Sequence, residues 1–368
     1  MLIQCDPVTL VFICTSMNGL NRVIQEDCRA VAGRLGEAAA ELSGSTMLVT
    51  GAAGFLCSYL LDVIAALNRT LPAPCRVIAV DNFRIGIPER ISHLRADANF
   101  RFEDCDVSKG FDPGCPVDWI VHGASIGSPT FYRRYPLETI DVNVNGTRNM
   151  LELAKKGSRG MLLTSTSEIY GDPDPANIPT KEDYRGLVSC TGPRACYDES
   201  KRLGETLSVT YYRLFQTPVK TVRLFNVFGP GQRLDDKRII PDLMSAALAS
   251  RPIVLLSNGL ATRSFCYITD AIAGMLLVLI SGSPGEAFNV GNGSEEISIR
   301  GLAEFVGEIA NVDVSFGESE DRDYVTDNPQ RRCPDTTKLQ KQLGWLPMTS
   351  LRDGLRRTLD AYRAEGAA

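Results

Sequence analysis

The stretch MLVTGAAGFLCS, residues 47–58, joins an apolar strand-like run to a helical pattern through two glycines, Gly51 and Gly54. Gly51 permits the tight turn from strand to helix, and Gly54 lets a pyrophosphate approach the backbone at the helix N-terminus. Where such turns usually carry a third glycine, this chain has Cys57, which is small enough to keep helix and strand close. The stretch therefore predicts a dinucleotide-binding turn.

Outward from this turn, apolar strand-like runs alternate with helical patterns. The strand-like runs are MLVTG, RVIAVDN, FRFEDCDV, DWIVHGAS, GMLLTSTS and KTVRLFNVFG. Continuous apolar strands that alternate with helices are typical of a parallel sheet covered on both faces. We therefore predict an α/β protein, a Rossmann-type doubly wound parallel sheet with a smaller C-terminal substrate-binding lobe.

The domain boundaries follow from shifts in pattern and composition. FGPGQRLDDKRIIP, residues 228–241, marks the shift where the smaller lobe begins. We predict an N-terminal helical extension at 1–45, a cofactor-binding lobe at 46–230 and a mostly substrate-binding lobe at 231–368. A segment near 264–292 is expected to return to the cofactor-binding lobe. Residues 18–42 read as one or two amphipathic helices that pack on the main domain without chemistry of their own.

Composition excludes several classes of function. A net charge of −5 and a pI near 5.3 argue against binding of nucleic acid through bulk charge. The 11 scattered cysteines contain no CxxC pair and there are two histidines, so we expect no metal site, reduced thiols and a cytoplasmic protein. The apolar run TLVFICTSM, residues 9–17, falls far short of the ~20 residues that span a bilayer, so no membrane segment is expected.

The cofactor predicted from the first two strands is NAD. The second strand-like run ends in Asp81, whose carboxylate can accept hydrogen bonds from an adenosine ribose and would repel a 2′-phosphate. Arg84 lies nearby and could favour NADP instead. The cofactor-binding candidates from this part of the chain are Gly51, Gly54, Phe55, Leu56, Asp81 and Asn82.

Tyr197 and Lys201 lie four residues apart in GPRACYDESKR and share one helical face. A phenol that acts as a base near neutral pH needs its pKa of about 10 lowered. The ammonium of Lys201 and the positive ring of an oxidised nicotinamide are expected to lower it. Tyr197 could then take the proton of a substrate hydroxyl that Thr166 or Ser165, at a neighbouring strand end, holds in place.

From about Thr46 to Leu355 the chain resembles the extended short-chain dehydrogenase/reductase family of nucleotide-sugar enzymes. The motifs that carry the resemblance are TSEIYGDP, GPRACYDESKRLGETL, ATRSFCYITD and DNPQRRCPDTTKLQKQLGW, and within that family they are most similar to UDP-glucuronate decarboxylases. The resemblance implies NAD as cofactor, a nucleotide-sugar substrate and a homodimer joined through helices of the Rossmann lobe.

The resemblance also implies roles for particular residues. The catalytic set would be Thr166, Glu168, Tyr197, Lys201 and Arg263. Asp106 and Val107 would flank the adenine, and Asn226, Arg238 and Arg332 would face the phosphates of the nucleotide sugar. An arginine usually follows Gly-Pro in FGPGQR; Gly231 stands there instead, and Arg233 is a substrate-binding candidate two residues later.

The pair Ser167-Glu168 bears on the reaction type. Dehydratases of the family have an Asp-Glu pair and 4-epimerases a small or hydroxylic residue at the position of Glu168. Ser167-Glu168 keeps one carboxyl without the acid that dehydration needs, which favours decarboxylation of UDP-glucuronate to UDP-xylose through a transient 4-keto sugar. A 4,6-dehydratase or 4-epimerase acting on a neutral hexose stays open, because Glu138 and Asp141 replace the lysines usual in decarboxylases and Leu256 replaces an aromatic residue. A catalytically silent NAD-binding regulator is the remaining alternative.

Overall fold

The structure is a computed structural model that describes residues 21–317 and 329–366. The helices are α1 (Arg22–Leu35), α2 (Phe55–Leu67), α3 (Pro129–Arg134), α4 (Pro136–Asp141), α5 (Thr147–Ala154), α6 (Ala195–Phe215), α7 (Ile239–Leu248), α8 (Ile268–Ser281), α9 (Ile299–Ala310), α10 (Thr337–Leu343) and α11 (Leu351–Gly366). The strands are β1 (Thr46–Thr50), β2 (Arg76–Asp81), β3 (Phe100–Asp104), β4 (Trp119–His122), β5 (Gly160–Thr166), β6 (Val219–Leu224), β7 (Val227–Phe228), β8 (Ile253–Leu255), β9 (Thr262–Ser264), β10 (Cys266–Tyr267), β11 (Ala287–Val290), β12 (Glu296–Ser298), β13 (Val314–Phe316) and β14 (Arg331–Arg332).

Seven strands form one parallel sheet in the order β11-β6-β5-β4-β1-β2-β3. The chain builds one half outward from β1 through β2 and β3 and the other half through β4, β5 and β6, so the strand order reverses between β1 and β4. Ligands of open α/β sheets bind at the carboxyl ends of the strands at such a reversal. The predicted doubly wound sheet is confirmed.

Smaller sheets lie outside the main one. They are β12-β9-β14, β10-β7 and β13-β8. After β9 and β10 the chain enters α8, which is buried along most of its length, and β11 then adds to the edge of the main sheet beside β6. The strands before and after this segment, β9 and β12, therefore belong to a small sheet, whereas β11 belongs to the main sheet.

Helix α1 packs on α2 and α8 through the buried side chains Ile24, Cys28, Val31 and Leu35. Asp27, also buried, accepts hydrogen bonds at 2.6 Å from the hydroxyls of Tyr59 in α2 and Tyr267 in β10. Arg357 of α11 donates to the other carboxylate oxygen of Asp27 at 2.6 and 3.0 Å. One carboxylate of the N-terminal helix thus joins elements that lie more than 300 residues apart in the sequence.

Within the described ranges, no helix is long and apolar enough to cross a membrane. The same residues contain no cluster of three or more His, Cys, Asp or Glu side chains that could hold a metal ion. The apolar run at 9–17 lies outside the described residues.

Candidate active site

The turn between β1 and α2 requires glycine at Gly51. The backbone there has φ +71°, and a Cβ would lie 2.8 Å from the backbone of Ala124. Gly54 is the N-cap of α2, and the carbonyl of Gly54 accepts the amide of Ser58 at 2.9 Å. The first N–H groups of α2 have no partner inside the helix and can bind an anion.

Cys57 is accommodated by a second glycine on the neighbouring strand. Its Sγ donates to the carbonyl of Thr50 at 3.6 Å. A Cβ at Gly123, directly after β4, would lie 2.2 Å from that Sγ. Gly123 therefore provides the space that lets Cys57 stand where the pattern has glycine.

Asp81 ends β2, and its buried carboxylate accepts the amides of Ala53 at 2.9 Å and Phe83 at 2.8 Å. Burial raises the pKa of Asp81, and the backbone hydrogen bonds oppose that rise. The side-chain oxygen of Asn82 accepts the amide of Arg84 at 3.1 Å. These bonds fix the carboxylate beside the glycine turn, where the sequence predicts a ribose.

A cleft of about 310 Å³ opens at these strand ends. Among its lining residues are Gly51, Gly54, Phe55, Asp81, Asn82, Arg84, Arg90, Asp106, Val107, Glu138, Asp141, Gly231, Arg233 and Arg238. Asp106 caps a short 3-10 helix by accepting the amide of Ser108 at 3.1 Å, and Val107 is buried. The side chain of Leu56 packs against the hydrophobic core instead. Seven of the ten cofactor-binding candidates, which also include Tyr197 and Lys201, thus line one cleft.

Thr166, Tyr197 and Lys201 meet beside this cleft, and all three are buried. Thr166 ends β5, and the other two lie on α6. The Nζ of Lys201 donates to the carbonyl of Thr164 at 2.8 Å and lies 5.9 Å from the centre of the Tyr197 ring. A Cβ on the cleft residue Gly127 would lie 3.8 Å from the Tyr197 hydroxyl, so that hydroxyl borders the cleft.

The pKa of Tyr197 is raised in this structure. Burial raises it to about 12, a hydrogen bond from the Thr166 side chain opposes the rise, and the charge of Glu168 adds to it. The expectation that Lys201 and an oxidised nicotinamide lower the pKa of Tyr197 stays a prediction for the protein with NAD bound, because burial sets the net direction in this structure. Burial also lowers the pKa of Lys201 to about 8. Removal from water disfavours the charged form of both groups, and spacing along a helix does not reveal that effect.

Glu168 lies at the centre of three arginines, Arg194, Arg263 and Arg332, which we call the arginine cluster. Arg332 donates from both Nη atoms to the two carboxylate oxygens, one of these bonds being 2.9 Å long, and Arg194 donates to the same carboxylate. Burial would raise the pKa of Glu168, but Arg332 and Arg194 lower it to about 2. Glu168 is therefore ionised near neutral pH and is a poor proton donor there.

Arg263 faces Arg332 across the pairing of β9 with β14. Its Nη2 donates to the carbonyl of Pro329 at 2.6 Å and its Nη1 to the carbonyl of Thr262 at 2.8 Å. Burial lowers the pKa of Arg263 to about 10, and the charges of Arg332 and Arg194 act in the same direction. The cluster therefore holds three guanidinium groups around one carboxylate.

The other substrate-binding candidates divide between two places. Arg233 and Arg238 line the cofactor cleft, where they pair with Asp235 and Asp236 respectively. Asn226 has φ +39° and donates from Nδ2 to the carbonyl of Ser264 at 2.8 Å, beside β9. Arg332 belongs to the arginine cluster, so its predicted contact with phosphates stays a prediction.

Two site residues were not identified from the sequence. Arg194 lies three residues before Tyr197 in GPRACY, which is one helical turn, and that spacing was a usable signal. The ring of Tyr132 stacks on Tyr197 with centroids 5.1 Å apart, a contact for which the sequence carries no pattern. Within the described residues, the Tyr132 hydroxyl and the Nε atoms of Arg194 and Arg332 are buried without a hydrogen-bond partner.

A doubly wound sheet with a glycine turn, a carboxylate at the end of β2 and a buried Tyr–Lys pair defines a dinucleotide-dependent enzyme of the short-chain dehydrogenase/reductase type. The model of the NAD dependent epimerase/dehydratase family matches residues 47–291. The chain belongs to this family. The resemblance, the fold class and the NAD dependence predicted from the sequence are confirmed.

Curated relatives cover most of the chain. UDP-glucuronic acid decarboxylase 1 of Arabidopsis thaliana is 38% identical over 317 residues, which are 86% of this chain and 69% of the relative. UDP-glucuronic acid decarboxylase 6 of the same plant is 38% identical over 313 residues, which are 85% of this chain and 87% of the relative.

Solved structures share the fold. The UDP-glucuronic acid 4-epimerase of Bacillus cereus, in complex with UDP-glucuronic acid and NAD, has a TM-score of 0.73 and 27% identity, covering 87% of this chain and 99% of that one. A dTDP-glucose 4,6-dehydratase of Streptomyces venezuelae, with NAD bound, has a TM-score of 0.74 and 27% identity, covering 87% and 97%.

Proposed function

We propose that this protein converts UDP-glucuronate to UDP-xylose by NAD-dependent decarboxylation through a transient 4-keto sugar. The observation that carries the proposal is the arginine cluster, where three guanidinium groups surround one carboxylate close to Tyr197. Guanidinium groups gathered in this way suit a substrate that brings its own carboxylate, although Arg194 also lies 3.9 Å from the carboxylate of Asp198. The names of the relatives at 38% identity support the same substrate.

Each proposed step uses a group of this chain. Tyr197 accepts the proton of the C4 hydroxyl while Thr166 holds the same oxygen and Lys201 supplies positive charge beside the phenol. Bound NAD supplies the hydride acceptor for C4 and later the donor. The bond between C5 and the carboxylate then breaks, its electron pair moves toward the C4 ketone, and carbon dioxide leaves. C5 takes up a proton, and Tyr197 returns its proton to the C4 oxygen.

Glu168 supports decarboxylation over dehydration. Loss of water from a hexose needs an acid for the departing C6 hydroxyl; Ser167 has no carboxyl group, and Arg332 and Arg194 keep Glu168 ionised. Glu168 instead holds Arg194 and Arg332 in place. Glu138 and Asp141, which replace the lysines usual in decarboxylases, line the cofactor cleft. Glu138 pairs there with Arg84 at 3.4 Å. They therefore do not oppose a uronate at the arginine cluster.

Product analysis tests the proposal. The purified protein is incubated with NAD and UDP-glucuronate, and with UDP-, dTDP-, CDP- and GDP-linked neutral hexoses in parallel. We expect a loss of 44 mass units from UDP-glucuronate and no reaction with the neutral sugars. A loss of 18 units from a neutral hexose would identify a dehydratase, and a changed sugar at constant mass would identify an epimerase. Absence of any reaction would favour the silent regulator.

We also propose a preference for NAD over NADP. The carboxylate of Asp81 is fixed by two backbone amides at the predicted ribose position, and Arg84 is engaged by Glu138. In a calorimetric titration we expect tighter binding of NAD(H) than of NADP(H), with the difference reduced in Asp81→Ser. Equal or inverted affinities in the unmodified protein would contradict this role of Asp81.

The lobes are proposed to divide the ligands. Residues 46–230 together with the return near 264–292 would bind the cofactor, and most of 231–368 would bind the nucleotide sugar. Support comes from β10, α8 and β11, which follow the β9 strand of a smaller sheet and lead back to the main sheet.

A homodimer is proposed through α4 and α6, which contact each other. They expose Leu137, Ile140 and Leu203, whose exposed fractions are 72%, 38% and 45%. Light scattering should give twice the chain mass, and Leu203→Glu should give monomers. The matched control Leu260→Glu, an exposed leucine before β9, should stay dimeric.

A cytoplasmic location is proposed because the cysteines of the described residues are all unpaired.

A further inference from the structure

Arg90 contacts the first turn of α2 from a different segment of the chain. It belongs to a short 3-10 helix, Pro88–Leu94, that follows β2. Its Nε donates to the hydroxyl of Ser58 at 3.0 Å, and its guanidinium carbon lies 5.8 Å from the centre of the Phe55 ring. Both partners belong to the first turn of α2, whose free N–H groups can bind a pyrophosphate. Arg90 also lines the cofactor cleft.

The space that Arg90 occupies exists because residue 231 is glycine. A Cβ at Gly231 would lie 2.1 Å from Nη2 of Arg90 and 2.7 Å from its Cζ. An arginine at position 231 is usual among the enzymes that the chain resembles, whereas here residue 231 is glycine and the guanidinium group of Arg90 fills the space beside it. The cleft keeps a positive charge at this place, supplied from the opposite wall.

The two Nη atoms of Arg90 are available for a ligand. In residues 21–317 and 329–366 the only side-chain hydrogen bond that Arg90 donates to another residue comes from Nε. No carboxylate in those ranges forms an ion pair with it, although Asp62 and Glu365 lie close enough to influence its charge. A half-buried guanidinium group that lines a cleft and keeps both Nη atoms free of hydrogen bonds to the described residues is suited to a phosphate group.

We propose that Arg90 binds the pyrophosphate of NAD, together with the N–H groups at the start of α2. Its stacking on Phe55 and its bond to Ser58 hold the guanidinium plane in place, and Gly231 makes room for it. This inference rests on NAD binding and is independent of the sugar that the enzyme converts.

Binding of cofactor fragments tests the proposal directly. NAD, ADP-ribose and adenosine are titrated against the unmodified protein and Arg90→Gln, by calorimetry for the first two and by ligand-observed NMR for adenosine. Loss of a charge-assisted bond to a phosphate should weaken NAD and ADP-ribose by about 10- to 100-fold. Adenosine has no phosphate and should bind as before. Arg95→Gln, an exposed arginine that stacks on Phe102 from the same segment, is the matched control and should change none of the three.

Two results would overturn the proposal. Unchanged affinity of Arg90→Gln for NAD would show that the guanidinium does not contact the cofactor. An equal loss for adenosine would show that Arg90 only shapes the cleft.

Gly231→Ala provides an independent test that leaves the arginine in the chain. The new Cβ must displace the guanidinium of Arg90, so NAD affinity should fall by a similar factor. In the Arg90→Gln background the same change should cost little further affinity, because no guanidinium remains to be displaced. The φ of +79° at Gly231 makes alanine unfavourable in both backgrounds, so that cost cancels in the comparison. Fully additive losses would contradict the proposal that residue 231 affects NAD binding through Arg90.

Discussion

Replacement of Glu168 by alanine should destabilise the protein far more than the loss of an ordinary surface ion pair. The side chains of Arg332 and Arg194 are 5% and 15% exposed, and both donate to the carboxylate that the substitution removes. Removing one partner of a buried ion pair costs about 3–5 kcal/mol, because the remaining charge stays buried without compensation. Here Arg332 loses both bonds to Glu168, and Arg194 is left with Asp198 at 3.9 Å. Arg263 adds a third positive charge nearby. We therefore expect Glu168→Ala to lower the free energy of unfolding by about 3–5 kcal/mol.

The adjacent arginine offers a matched control. Arg331 pairs with Glu296 through two hydrogen bonds of 2.7 and 2.8 Å, but the arginine side chain is 46% exposed. Exposed pairs contribute about 0–1 kcal/mol. The side chain of Glu296 is 21% exposed and also accepts the hydroxyl of Thr262, so Glu296→Ala should cost more than an exposed pair but clearly less than Glu168→Ala. Urea denaturation followed by tryptophan fluorescence measures both variants. Equal small shifts in the two unfolding midpoints would refute the reasoning that the arginine cluster is a buried, mutually dependent unit.

Further substitutions test the other parts of the account. Tyr197→Phe should reduce turnover by at least ~10²-fold while NAD affinity in a titration is kept, because only the proposed proton acceptor is lost; near-normal turnover would exclude that role. Asp27→Ala should destabilise the protein by about 3–5 kcal/mol in urea, because three donors lose a buried acceptor, and an effect as small as that expected for the exposed Glu26→Ala would contradict the buried network. Burial lowers the pKa of His122 to about 3, so the unfolded chain binds more protons between about pH 6.5 and 3. As the pH is lowered through that window, the free energy of unfolding should fall by up to about 1.4 kcal/mol per pH unit because of this group. His122→Gln should flatten the decline, and an unchanged pH profile would show that His122 is not its source.

The parts of the site that sequence reasoning predicted are those where local pattern and position in the fold coincide. Gly51 follows β1 and Asp81 ends β2, and the apolar runs of both strands can be recognised in the sequence. Parallel strands place their carboxyl ends at one edge of the sheet. Tyr197 and Lys201 are one helical turn apart, so a single helix is enough to bring them together. These residues needed no knowledge of long-range packing.

Contacts between distant segments were not predictable in this way. Glu168 meets Arg332 across 164 residues, and Asp27 meets Arg357 across 330 residues. The rise in the pKa of Tyr197 on burial was not predictable for the same reason, since burial depends on everything packed around the ring. The proposed role of Arg90 has no signal in the sequence except the missing arginine after Gly-Pro, because Arg90 lies in another segment of the chain.

The most direct test of the central claim is carbon dioxide release from UDP-glucuronate labelled with ¹³C at the carboxylate. Protein with NAD should release labelled carbon dioxide and form UDP-xylose in equal amounts, and Tyr197→Phe, measured beside it, should release at most ~1% as much per unit time. If the unmodified protein releases no labelled carbon dioxide but converts a neutral nucleotide hexose, the decarboxylase assignment is contradicted and only membership of the family stands.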